Sequence, residues 1–112
     1  PDSAEPRFLL GQALFARGKY RSAVVTIADG VMLDPEWPRR PFDPRALYGG
    51  FEADLGQLRD AVAARPDDPG LLFLLGHQSW FADRKPQAED AFRRAAALAA
   101  DPAVVDAFLK RP

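Results

Sequence analysis

His77 is the only histidine of the chain, so a histidine-based dyad or triad would have to be built on it, with Ser3, Ser22 or Ser79 as the nucleophile. Ser79 stands two residues from His77 in one helical stretch, and residues two apart on a helix do not face each other. A metal site would need His77 with carboxylates such as Asp67, Asp68 or Asp83, yet no repeated histidine or carboxylate spacing supports one. The chain has no cysteine, which excludes disulfides and thiolate ligands. No stretch reads as a strand followed by a glycine-rich loop, so a phosphate-binding loop has no support. No catalytic residue, metal or cofactor is expected, and the chain does not read as an enzyme.

Charge narrows the partner class. The net charge is -1 over 112 residues, without the basic excess that a phosphate-binding surface carries, so nucleic acid is not an expected partner. Arg39, Arg40 and Arg45 form the one local basic cluster, and acidic residues flank it. No apolar run approaches about 18 residues, so no membrane-spanning segment is expected. With 47% hydrophobic residues the chain can bury one modest core. It begins on Pro1 and ends on Pro112, which reads as a piece of a longer protein.

The elements that must position these residues are helices. One is expected near Ala4 to Arg17, capped by Ser3 or Asp2 and stopped by Gly18; a second runs from Tyr20 to Leu33 and ends at Asp34-Pro35. Phe51, Leu55, Leu58 and Val62 recur at helical spacing over Phe51 to Ala64. Further helices begin at Asp68-Pro69, near Pro86 and at Asp101-Pro102, each with proline in the first turn, where its missing N–H costs nothing. The last, with Val105, Phe108 and Leu109 opposite Asp106 and Lys110, suits a capping helix. With one short helix in the middle, this makes about seven helical segments.

Two stretches repeat one pattern. Leu10-Gly11, Ala23, Ile27 and Asp34-Pro35 are echoed by Leu75-Gly76, Ala88, Phe92 and Asp101-Pro102, and Gly11 to Gly76, Ala23 to Ala88 and Ile27 to Phe92 share one spacing of 65 residues. That is about twice a helix-turn-helix period of roughly 34 residues. Small residues let paired helices approach and large ones a turn later fill the space. On these residues the chain resembles the tetratricopeptide repeat family, with Trp-x2-Leu-Gly-x2-Tyr, then Ala-x3-Phe, then Pro. It departs where Arg7 and Leu72 replace the Trp, where Leu14 and Ser79 replace the Tyr, and where Gly30 replaces an alanine. The resemblance implies an all-α helix-turn-helix array, an α-solenoid: 1-35 repeat one, 36-66 a degenerate repeat, 67-102 repeat three, 103-112 the capping helix.

The same resemblance implies a function. First helices of such repeats line a concave groove that receives a partner, which would place Phe8, Gln12 and Phe15, with Phe73, His77 and Phe81, as partner-binding residues for an apolar peptide or helix. A groove that clamps a terminal carboxylate needs Lys, Asn and Arg there, so that mode is not expected. The alternative is a structural spacer or oligomerisation domain whose groove is filled. The stretch at 69–81 is apolar nearly all round, and its aromatics could instead be buried against Trp37 to Tyr48.

That middle segment holds prolines at 35, 38, 41 and 44, a spacing no α-helix accepts. An extended stretch is expected, then a short helix over Pro44 to Tyr48 capped by Asp43 and ended by Gly49-Gly50, with Trp37, Phe42 and Tyr48 plugging the space of the missing helix. Period three is also that of polyproline II, and Pro35-x-x-Pro38-x-Arg40 matches a short SH3-ligand pattern; a rigid linker docked through its aromatics is the plainer reading.

Overall fold

The structure, a computed structural model, describes residues 4–98 and 102–109. Among them are six α-helices and no strand: α1 (Glu5–Ala16), α2 (Tyr20–Leu33), α3 (Phe51–Ala64), α4 (Pro69–Phe81), α5 (Lys85–Ala97) and α6 (Pro102–Leu109). The expected caps Asp2, Ser3 and Asp101, and Lys110, lie outside the described residues. α1 starts from Ala4 without a side-chain cap, with proline in its first turn. Asp68 caps α4, its carboxylate accepting from the Leu71 N–H at 3.1 Å, which satisfies one of the free donors of the first turn.

The sequence repeat is written into the backbone. At the end of α1, the Gly18 N–H donates to Phe15 C=O (3.0 Å) and the Lys19 N–H to Leu14 C=O (2.9 Å). At the end of α4, 65 residues on, Asp83 donates to Trp80 C=O (3.3 Å) and Arg84 to Ser79 C=O (2.9 Å). Both are Schellman caps, and both place the turning residue in the left-handed region, Gly18 at φ 74° and Asp83 at φ 64°. Aspartate is among the few residues with a side chain that tolerate it. The two hairpins then close alike: a Cβ added at Gly11 would fall 2.5 Å from Ile27 Cγ1, and one added at Gly76 would fall 2.6 Å from Phe92 Cε1. Both pairs are sixteen residues apart, and only glycine lets the helices lie so close.

The middle segment departs from its expected course. Instead of one extended run, Trp37–Arg39 forms a 3-10 turn; Pro38 sits in its first positions, where a ring with fixed φ and no N–H is at no disadvantage. A second 3-10 turn, Pro44–Ala46, is capped as expected by Asp43, whose carboxylate accepts from the Arg45 N–H at 2.9 Å. Pro38 is buried, so the segment does not offer a free polyproline face. After these turns α3 follows, with Phe51, Leu55, Leu58 and Val62 all buried.

The core is organised around α4, which packs on α5, α2 and α3, while α1 pairs with α2. α6, expected as a cap, packs on α5, on α2 and on the 37–39 turn. It delivers Phe108, fully buried, into the centre, stacked on Phe92 with ring centroids 4.5 Å apart.

Candidate functional site

The inner face of α1 and α4 carries all six residues expected to meet a partner, and none of them is open. Relative exposures are 0% for Phe8, 2% for Gln12, 1% for Phe15, 3% for Phe73, 0% for His77 and 7% for Phe81. The open groove is therefore not formed. Its place is taken by two parts of the same chain: the strap of residues 34–48, and Phe108 from α6.

The strap seats itself as a ligand would. Trp37, 5% exposed, lies parallel to Phe8 with centroids 3.6 Å apart and 3° between the planes, and its other contacts include Phe42 and Phe81 at 5.0 and 5.3 Å. The Trp37 Nε1–H points at His77 Nε2, 3.1 Å away. In return the Trp80 Nε1–H donates to Pro38 C=O at 2.9 Å. Further along, Arg45 Nη1 donates to Ala82 C=O at 3.1 Å. Asp34 and Arg40 close the base of the strap through two contacts of 2.9 Å, and the Arg40 hydrogen bonds hold the Asp34 carboxyl below its usual range. Phe73, Phe81, Trp80 and Phe92 ring Phe108 at angles from stacked to edge-on, as aromatic quadrupoles favour.

The hollow that still reaches Phe73, between Val24, Ala28, Val104 and Val105, has about 140 Å³, against about 300 Å³ or more for a typical ligand pocket. The physical reason for closure is area: burying aromatic side chains is the largest gain open to so small a chain, and the strap supplies the missing surface.

Polar groups enter this apolar centre as a connected set. Gln12 Nε2 and Gln78 Oε1 are 2.7 Å apart, and Gln78 Nε2 and His77 Nδ1 are 3.2 Å apart. Burial pushes the His77 imidazole down to about 3, so it is neutral at neutral pH. Both of its nitrogens are engaged by Trp37 and Gln78, which leaves no lone pair for a serine hydroxyl. Burial, then the neighbouring Asp54, raises the Tyr48 phenol above its ordinary value. Among the described residues no group of three or more His, Asp or Glu side chains could hold a metal ion, and no helix is long and apolar enough to cross a membrane.

Gln78 and Phe108 were not foreseen as parts of this site. Gln78 carried a signal, a carboxamide within a helix otherwise apolar nearly all round. Phe108 carried only its place on an amphipathic face. The arrangement defines a class, an all-helical domain of two duplicated hairpins whose shared inner face is filled from within. Compared with known proteins, the chain matches no protein-family model, no curated protein and no solved structure.

Proposed function

We propose that this chain is a tetratricopeptide-like helical-repeat domain that serves as a structural spacer or oligomerisation unit, its concave face closed by its own strap. The observation that carries the reading is the burial of Phe8, His77 and Phe81 under Trp37, of Phe73 under Phe108, and of Phe15 against Tyr20 and Phe51. A partner peptide would have to displace an indole stacked at 3.6 Å and hydrogen-bonded at 3.1 Å, which sets a high threshold for use of that face. The duplicated Gly-to-large-residue contacts and paired caps support the kinship with helix-turn-helix repeats, whose units bury their apolar sides only by packing on one another.

A second reading keeps a protein-interaction role on the outside of the hairpins. Leu9 and Leu10 on α1 and Val25, Met32 and Leu33 on α2 are large apolar side chains with 44% to 56% exposure. Chemical denaturation of Phe73→Ser and Phe81→Ser tests the first reading. Both are expected to lose about 3 kcal/mol or more, as core aromatics do. A loss within about 1 kcal/mol, the range of exposed positions, accompanied by loss of a bound partner, would reinstate the peptide-binding groove.

A further inference from the structure

We infer that His77 is held as the neutral imidazole with its proton on Nδ1, and that this tautomer gives direction to a buried hydrogen-bond chain running from Trp37 through His77 and Gln78 to Gln12. That chain fastens the strap to α4 and α1. An indole Nε1–H can only donate. Lying 3.1 Å from His77 Nε2, it requires a lone pair on that atom. A neutral imidazole carries one N–H, so the proton stands on Nδ1. The part of Gln78 that is 3.2 Å from Nδ1 must then be the acceptor, the carboxamide oxygen.

The opposite orientation fails on its own terms. With the Gln78 nitrogen against Nδ1, both imidazole nitrogens face donors, and one buried N–H goes unpaired, which is more costly than the bond it replaces. Exchanging the oxygen and nitrogen of a carboxamide takes a half-turn of the group and moves no other atom. Turning Gln78 brings its amide nitrogen to the Gln12 side chain, 2.7 Å away, and Gln12 must turn in step to present oxygen. Once turned, the Gln12 oxygen accepts from the Gln78 amide, so the contact of 2.7 Å is kept with its direction reversed.

The chain starts on the strap at Trp37 and passes through α4 to α1, so one strap residue is tied to both hairpins. The groups around the imidazole are the rings of Phe8 from α1, Phe73 and Phe81 from α4, Phe108 from α6, and Trp37 and Gln78. None of these carries a charge that would draw a second proton onto the ring. His77 is thus a positioning residue: the strap residue it accepts must be a donor, and a phenyl ring of similar bulk does not satisfy it.

Long-range proton–nitrogen correlation on uniformly 15N-labelled protein at neutral pH reads the tautomer directly, because the two ring nitrogens couple differently to the ring C–H protons. One neutral species protonated at Nδ1 is expected. An Nε2-protonated ring, an even mixture or an imidazolium would overturn the inference. Trp37→Phe supplies a readout that bulk packing would not move: with the donor gone, the strap no longer fixes Nε2 as the acceptor, and the single Nδ1-protonated species should give way to a mixture of the two neutral tautomers. Retention of the single Nδ1-protonated species in a folded Trp37→Phe protein would overturn the strap's part in setting the tautomer. Should that variant not fold, the spectrum of the unaltered protein decides alone.

Discussion

Gly76→Ala adds one methyl group at the closest approach of α4 and α5. Its carbon would fall 2.6, 2.7 and 2.9 Å from three atoms of the Phe92 ring, so the ring edge must retreat by about 0.8 Å to regain ordinary contact. The ring has nowhere to go. Phe92 is fully buried, stacked on Phe108 at 4.5 Å and flanked by Phe73 and Trp80 at 5.9 and 6.4 Å. Overpacking of this kind costs about 1–3 kcal/mol, while alanine in a helix interior returns about 1 kcal/mol relative to glycine. A net loss of about 1 kcal/mol is expected. Gly56 supplies the control: it lies inside α3 with nothing within 4 Å of an added Cβ, so Gly56→Ala should gain about 0.5–1 kcal/mol. Urea denaturation with an unchanged slope measures both. Two changes of the same sign, or a stabilised Gly76→Ala, would refute the close packing of the hairpins. Gly11→Ala should follow Gly76→Ala, because Ile27 stands where Phe92 does.

Ala88 is fully buried, and Ala88→Leu should destabilise by about 1–3 kcal/mol in the same assay; a change within about 0.5 kcal/mol would count against its place between helices. Trp37→Ala should cost about 3–5 kcal/mol. In a Trp80→Phe variant the emission of Trp37 should be that of a buried indole, and a water-exposed maximum would show the strap to be free. Stability should also depend on pH through His77. Its folded pKa, about 3, lies below the ordinary value near 6.5, so the unfolded chain takes up the proton first. Stability is then full above about pH 6.5 and falls toward about pH 3, by about 1.4 kcal/mol per unit between pH 6 and 4. Asp34 and Asp43, held low by their arginine partners, add their losses below that window, and a flat profile between pH 6 and 4 would contradict a neutral buried imidazole.

The helices were legible because their ends are chemically marked. Gly18, Asp34-Pro35, Pro66 and Asp68-Pro69 each forbid or favour a specific backbone, and α2 and α3 run over the expected residues, Tyr20–Leu33 and Phe51–Ala64. Local signals of this kind need no knowledge of what lies across the core. The duplicated hairpins were legible for the same reason, since Gly11 with Ile27 and Gly76 with Phe92 are contacts within one hairpin. What the strap does was harder to read, because it depends on partners 40 and 42 residues away. Its prolines argue against an α-helix, but a 3-10 turn at Trp37–Arg39 satisfies the same constraint as an extended run. α4 held the decisive signal. Ten of its thirteen residues are buried, and a helix apolar all round is one surrounded by protein, which weighs against an open face more heavily than a resemblance to groove-forming helices weighs for it.

The strap's long reach also orders events in time. Each hairpin closes over sixteen residues, and such local contacts form early because little chain entropy is lost in bringing them together. The strap must wait until α1 and α4 already stand side by side, since Trp37 stacks on one and bonds to the other. Run backwards, the same logic makes the strap the natural first point of failure. If it lifts while the hairpins hold, Phe8, His77 and Phe81 meet water together, and a protein with most of its helix intact becomes adhesive and open to proteases. The working lifetime of such a molecule is then set by how often one tryptophan leaves its seat, and much less by how firmly its helices are made.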